Sequence, residues 1–266
     1  MGLVVPCGGE YHIVMLNTIT HGDPTDHPPL LIAHGLYGSA RNWGVIARRL
    51  SDERQVIAVD MRNHAYSFWD NQHGYRQLAQ DLADLIDSIG GVADVVGHSM
   101  GGKASMVLAL QHGELIRKLV VADIAPVTYG HSQIKYIDAM RIVDMSRVDR
   151  RSDAEAQLAE QGVEKALQSF FTQSLDVENK RWRLNLDVLA SEMPKIMGFP
   201  DVGGSWNGPT LFLSGAASDY VLPEHRDRIR ALFPAARFAK IPGAGHWLHA
   251  EKPREFEAAV RTFLNA

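Results

Sequence analysis

Gly97-His98-Ser99-Met100-Gly101-Gly102 is the stretch of this chain whose residue types most directly offer chemistry. A serine at G-x-S-x-G spacing, between a short apolar run ending at Val96 and a helical pattern starting near Gly102, is arranged as a nucleophile elbow. Glycine at Gly97 and Gly101 removes the Cβ atoms that so sharp a turn cannot house. A serine hydroxyl is a weak nucleophile at neutral pH and needs a base. His246, in Gly243-Ala244-Gly245-His246-Trp247, falls between the last strand pattern and the last helical one, at the same sheet edge as Ser99. His34 and His98 adjoin glycines in turns and read as packing groups. His249 forms only an H-x-x-H pair with His246, too few ligands for a metal site.

The base needs an acid to orient it. Asp219 and Asp123 both follow strand patterns, and both lie between Ser99 and His246, the chain order this geometry requires. Either could reach the imidazole. Spacing alone leans to Asp219, which follows the strand just before the histidine strand. Two backbone donors suit a developing oxyanion. One is the Leu36 N–H, in His34-Gly35-Leu36-Tyr37-Gly38, where Gly35 lets the chain fold back. The other is the Met100 N–H, just past the serine.

These groups need a scaffold that brings distant segments to one edge. Short, nearly continuous apolar runs predict buried strands at Leu30–Ala33, Val56–Val59, Val92–Val96, Leu119–Ala122, Thr210–Leu213 and Arg237–Ile241. Apolar residues from Tyr75 to Ile89 recur at spacings of three and four and predict an amphipathic helix. Ala104–Gln111 and Phe256–Leu264 read the same way. The alternation implies an α/β fold with a mostly parallel sheet between helices. The segment from Tyr11 to Thr20 alternates and is expected as an antiparallel edge.

From about Pro126 to Asn207 the alternation stops. That run is too long for a crossover, and it is expected to be an inserted helical cap over the C-terminal sheet edge, where ligands bind. Its helices are expected at Ile134–Val143, Asp153–Gln161 and Asn179–Ala190. The charged stretch Asp144–Glu160 reads as a solvated face. The division is residues 1–125 for the first part of the core, 126–207 for the cap and 208–266 for the rest of the core.

Composition narrows the class. The 266 residues are 45% apolar and 22% charged, an ordinary globular balance. A net charge of −4 and a pI near 6.3 argue against a nucleic-acid binder and against docking on an anionic membrane. The single cysteine, Cys7, cannot form an internal disulfide and has no setting for a catalytic thiol. With no secretory pattern at Met1–Pro6 and no long apolar run, a cytoplasmic enzyme is expected.

Together, Gly-His-Ser-Met-Gly-Gly, His-Gly-x-x-Gly and Gly-x-Gly-His before a final helix resemble the α/β-hydrolases. Asp60-Met61-Arg62-Asn63-His64, Lys103, Ala122-Asp123-Ile124-Ala125-Pro126 and Gly245-His246-Trp247-Leu248-His249-Ala250-Glu251-Lys252-Pro253 are similar to the bacterial YbfF-type esterases. The resemblance spans about Leu30 to Leu264 and is weak in the cap. It implies a serine carboxylester hydrolase that needs no cofactor or metal, acting on a small-molecule ester or thioester. It also assigns the acid to Asp123 rather than Asp219. One departure is Ala65, where the family commonly has glycine; a methyl group there is expected to constrain the turn and reshape the pocket rim. Trp43, Phe68, Trp69, Phe170, Phe171 and Trp182 are available to line an acyl pocket. A thioesterase or perhydrolase would use the same three residues, and a non-catalytic ligand-binding protein could retain the fold.

Overall fold

The computed structural model describes residues 3–7 and 10–266, with side chains from residue 15 onward. The Cys7 side chain lies outside the described residues. β1 (Leu3–Cys7) and β2 (Glu10–Val14) form a two-stranded antiparallel ribbon. β3 (Thr18–His21), β4 (Leu30–Ala33), β5 (Val56–Val59), β6 (Ala93–His98) and β7 (Ile116–Ala122) then build the sheet. β8 (Leu175–Asp176) and β9 (Arg181–Trp182) pair with each other, and β10 (Thr210–Gly215) and β11 (Ala236–Ile241) complete the sheet.

The main sheet has seven strands in the order β11-β10-β7-β6-β4-β5-β3. Every pairing is parallel except β3 against β5. The antiparallel edge expected from Tyr11 to Thr20 is therefore divided. Only Thr18–His21 joins the sheet, while Tyr11 belongs to the separate ribbon.

Side-chain alternation explains the layering. Leu31, Ala33, Ile57, Val59, Val95, Leu119, Val121 and Phe212 pack on one face, against α2 (Tyr75–Ser88) and α3 (Met100–Gln111). Their neighbours Leu30, Ile32, Val56, Ala58, Val96, Val120, Leu211 and Leu213 pack on the other, against α1 (Gly44–Leu50) and a C-terminal helix (Pro253–Asn265). Strands buried on both faces need apolar residues at every position, which is why they read as continuous runs.

Between β7 and β10 run α4 (Ile134–Ile142), α5 (Arg151–Glu160), α6 (Lys165–Thr172), α7 (Leu186–Ser191) and α8 (Met193–Met197). They have an apolar cluster of their own, including Ile137, Met140, Leu158, Phe171, Leu189 and Ile196, which also takes in Tyr37. The helix expected at Asn179–Ala190 is not formed. Trp182 and Leu184 are buried while Arg181 is exposed, a period-two pattern, and Arg181–Trp182 pairs with Leu175–Asp176. The helix starts only at Leu186, where the Asn185 carboxamide accepts from the Val188 N–H at its N-terminus. α6 was not singled out in the sequence. α9 (Arg226–Leu232), α10 (Leu248–Glu251) and α11 (Pro253–Asn265, the C-terminal helix) close the fold.

Candidate active site

The sheet changes direction of strand addition at β4, whose neighbours are β5 and β6. Such a switch point leaves a crevice at the C-terminal ends of the strands. The predicted groups converge there. Ser99 follows β6 in a strained backbone conformation, φ 52° and ψ −116°, and caps α3. A Cβ on Gly97 would lie 2.4 Å from the Gly101 carbonyl oxygen, and one on Gly101 would lie 2.3 Å from the Ala33 oxygen. The elbow thus has backbone where other residues have a side chain. Gly35 sits against His98 and Ser99 in the same way.

His246 comes from the loop after β11. Its Nε2 is 3.1 Å from Ser99 Oγ and its Nδ1 is 2.8 Å from Asp123 Oδ2. Asp123 follows β7 with φ 51° and is fully buried. Its Oδ1 accepts from the Gly215 N–H at 3.0 Å, and its Oδ2 also accepts from the Ser218 hydroxyl. The carboxylate is therefore aimed by three donors. Asp219, the alternative acid, is exposed on the turn beyond β10. Its neighbour Ser218 turns inward instead. β7 lies directly beside β6, so an acid at its end reaches the imidazole without the longer loop Asp219 would need.

Neither the Leu36 nor the Met100 backbone N–H donates to another group among the described residues. The turn that carries Leu36 is shaped by the Gly38 N–H to Gly35 oxygen bond and by Tyr37, whose N–H donates to His64 Nε2. Buried imidazoles brace this whole edge. His34 donates from Nδ1 to the Gly35 oxygen and accepts at Nε2 from the Met61 N–H. His64 donates from Nδ1 to the Arg62 oxygen. His98 donates from Nε2 to the carbonyl of His246, so it fixes the backbone of the base. Burial pushes His34 down to about 4, His64 to about 3 and His98 well below its usual range. His249 stacks on Trp43 with centroids 4.0 Å apart, and burial pushes it down to about 3. Among the described residues, no three His, Cys, Asp or Glu side chains gather to hold a metal ion.

A cavity of about 260 Å³ opens on Ser99 and His246. Trp43, Phe170 and Phe171 line it, as expected. Phe68, Trp69 and Trp182 do not: Trp69 and Trp182 border a second hollow with Ala65 and Tyr66, and Phe68 lies beneath the Arg62 guanidinium. Ala65 is correspondingly not at the rim of the Ser99 cavity. It sits at φ 46°, and its N–H donates to the Arg183 oxygen, so its turn ties the core to the helical insertion.

Three participants escaped the sequence reading. Ser218 has a turn residue's ordinary signature. Tyr220 lies flat against His246. Lys103 was noted as a motif residue but given no task. It is buried, and its Nζ donates to the Met197 oxygen at 2.9 Å and to the Gly198 oxygen at 2.5 Å. These are the last carbonyls of α8, and Tyr75 Oη donates to the Ile196 oxygen beside them. Burial lowers the Lys103 ammonium to about 7.

The chain is similar to known proteins. A family model described as alpha/beta hydrolase fold matches residues 28–253. The sn-1-specific diacylglycerol lipase ABHD11 of Mus musculus is 41% identical over 254 residues, 91% of this chain and 82% of its own. Esterase YbfF of Escherichia coli (strain K12) is 40% identical over 244 residues, 90% of this chain and 94% of its own. The solved structure of a marine microorganism esterase superposes with a TM-score of 0.89 at 36% identity, covering 94% of this chain and 99% of that one. A family match across most of the chain, with relatives this similar over nearly their whole lengths, establishes that the protein belongs to the α/β-hydrolase fold family as an esterase of the YbfF type.

Proposed function

We propose that this protein hydrolyses small to medium acyl esters through Ser99, His246 and Asp123 and an acyl-enzyme intermediate. The observation that carries the reading is the continuous contact from Ser99 Oγ through the His246 imidazole to Asp123, at 3.1 and 2.8 Å. Ser99 Oγ attacks the acyl carbonyl as His246 Nε2 takes its proton. Asp123 keeps the other proton on Nδ1 and stabilises the imidazolium. The Leu36 and Met100 N–H groups hold the oxyanion, each donor lowering the barrier by about 2.7–4 kcal/mol. His246 then protonates the departing alkoxide, and water cleaves the acyl-enzyme by the same route.

Residues 126–207 act as the cap in this reading. They supply Phe170, Phe171, Ile196 and Met197 to the cavity wall, which fits an apolar acyl chain. The names of the relatives, esterase and diacylglycerol lipase, favour an oxygen ester. A cytoplasmic setting belongs to the same proposal and is supported by the lone cysteine. The test is a p-nitrophenyl ester series from acetate to palmitate with Ser99→Ala beside it. Turnover that falls by about 10⁴-fold or more in the variant is expected, and the chain-length optimum sizes the cavity. Equal rates in the two proteins would overturn the assignment.

A further inference from the structure

The ring of Tyr220 overlies the imidazole of His246 with centroids 3.9 Å apart and planes 19° from parallel. A neutral imidazole tolerates such stacking, as His249 on Trp43 shows at 4.0 Å and 9°. The other rings around His246 do not present a face to it: His98 is tilted at 4.8 Å and 42°, and Trp247 is edge-on at 5.6 Å and 70°. Tyr220 is held in its position from outside. Tyr129 Oη donates to the Tyr220 carbonyl at 2.7 Å, and the Tyr220 N–H donates to Ser218 Oγ. The Tyr220 hydroxyl lies 2.9 Å from His131 Nε2.

The stack changes character when His246 takes a proton. A cation over the face of an aromatic ring is attracted by the ring quadrupole. The contact is therefore stronger for the imidazolium than for the neutral imidazole. Only interactions stronger in the transition state than in the ground state accelerate a reaction. In ester cleavage, the charge on His246 develops there.

We propose that Tyr220 is a positioning residue that uses its ring face to stabilise the charged form of His246 as Ser99 gives up its proton. The inference rests on the proposed roles of Ser99, His246 and Asp123. The other groups facing the imidazole are Asp123 at Nδ1, Ser99 at Nε2 and the rings of His98 and Trp247. His249 lies behind His98, and exposed Asp219 precedes Tyr220 in the chain. None of these is altered by the test.

The experiment follows kcat/KM against pH for a p-nitrophenyl ester. Tyr220→Phe keeps the ring and is expected to stay within about threefold of the parent. Tyr220→Leu removes the ring and is expected to lose about tenfold, with the acid limb moving to lower pH by about half a unit to one unit. If the leucine variant folds poorly, a shape-matched series answers instead. Phenylalanine, 4-fluorophenylalanine and 3,4,5-trifluorophenylalanine at position 220 drain the ring face stepwise. The acid limb is expected to fall stepwise with them, which a purely structural role would not cause. A flat fluorination series overturns the role of Tyr220 while leaving the ester hydrolase intact. Full activity in Ser99→Ala, run in parallel, overturns the site reading beneath it.

Discussion

The two ends of the central sheet solve opposite problems. At the C-terminal end five buried imidazoles held neutral lie beside the ion-paired Arg62 and Asp81, and strain collects. Five of the six described non-glycine residues with positive φ follow β4, β5, β6 and β7: Tyr37, Asn63, Ala65, Ser99 and Asp123. At the N-terminal end the buried polar groups include an ion-paired set. Asp94, at the start of β6, receives Arg54 at 2.7 Å and also Arg117. Lys118 donates to the carbonyls of Phe263, Leu264 and Ala266, closing the chain's end over the sheet. Strained backbone persists only where its surroundings over-determine it.

The sharpest way to break this comparison is at the strained end. Asp123→Asn is expected to cut ester turnover by about 10⁴-fold with little change in melting temperature, because the imidazole loses the partner that fixes its tautomer. Asp219→Asn, on the exposed turn, is expected to stay within about twofold of the parent. Comparable rates for the two variants would reverse the assignment of the acid. The opposite signature is expected at the paired end. Asp94→Asn strands the buried Arg54 and should cost about 3–5 kcal/mol in urea unfolding. The fraction that remains folded should keep its kcat.

Lys103 sharpens the comparison, since it is a buried cation at the strained end whose hydrogen-bond partners are backbone carbonyls. Lys103→Met releases the last turn of α8 and should change the ratio of kcat/KM for long against short esters by about tenfold, or 1.4 kcal/mol. Its effect on stability depends on pH. The unfolded chain keeps the lysine proton up to about 10.4, whereas the folded protein releases it near 7. In that window the unfolded state binds more protons, so rising pH favours the fold. The melting temperature of the parent relative to Lys103→Met should therefore climb from about pH 7 to 10, and a constant difference would remove the burial argument. The smallest effect is expected at Ala65→Gly. Glycine adopts φ 46° freely, and the variant should gain up to about 1 kcal/mol in thermal unfolding.

Much of the sheet was legible because strands buried on both faces cannot hide their apolar runs. Leu30–Ala33 and Val56–Val59 match residue for residue. Ser99 and His246 were legible because a tight elbow and a histidine loop need glycines nearby. The acid was harder to read. Asp123 and Asp219 both follow strands, and the order of strands in space, which puts Asp123 and not Asp219 against His246, is not written locally. Ser218 and Tyr220 were missed because their tasks arise from contacts with residues 95 and 26 positions away. The helix expected near Asn179 failed because Trp182 and Leu184 are buried by period two against the other side of the insertion.

The neutral imidazoles around Ser99 have one more consequence. With His34 near 4, His64 and His249 near 3, and His73 and His98 also well below their usual range, these five rings carry no charge at neutral pH. They brace backbone and packing without adding a field of their own to the reacting atoms. These rings are electrically silent, so among the lining groups it is Lys103, near 7, whose charge changes close to neutral pH. A change of pH around neutrality therefore reaches the cavity wall through one ammonium and leaves the five rings unchanged.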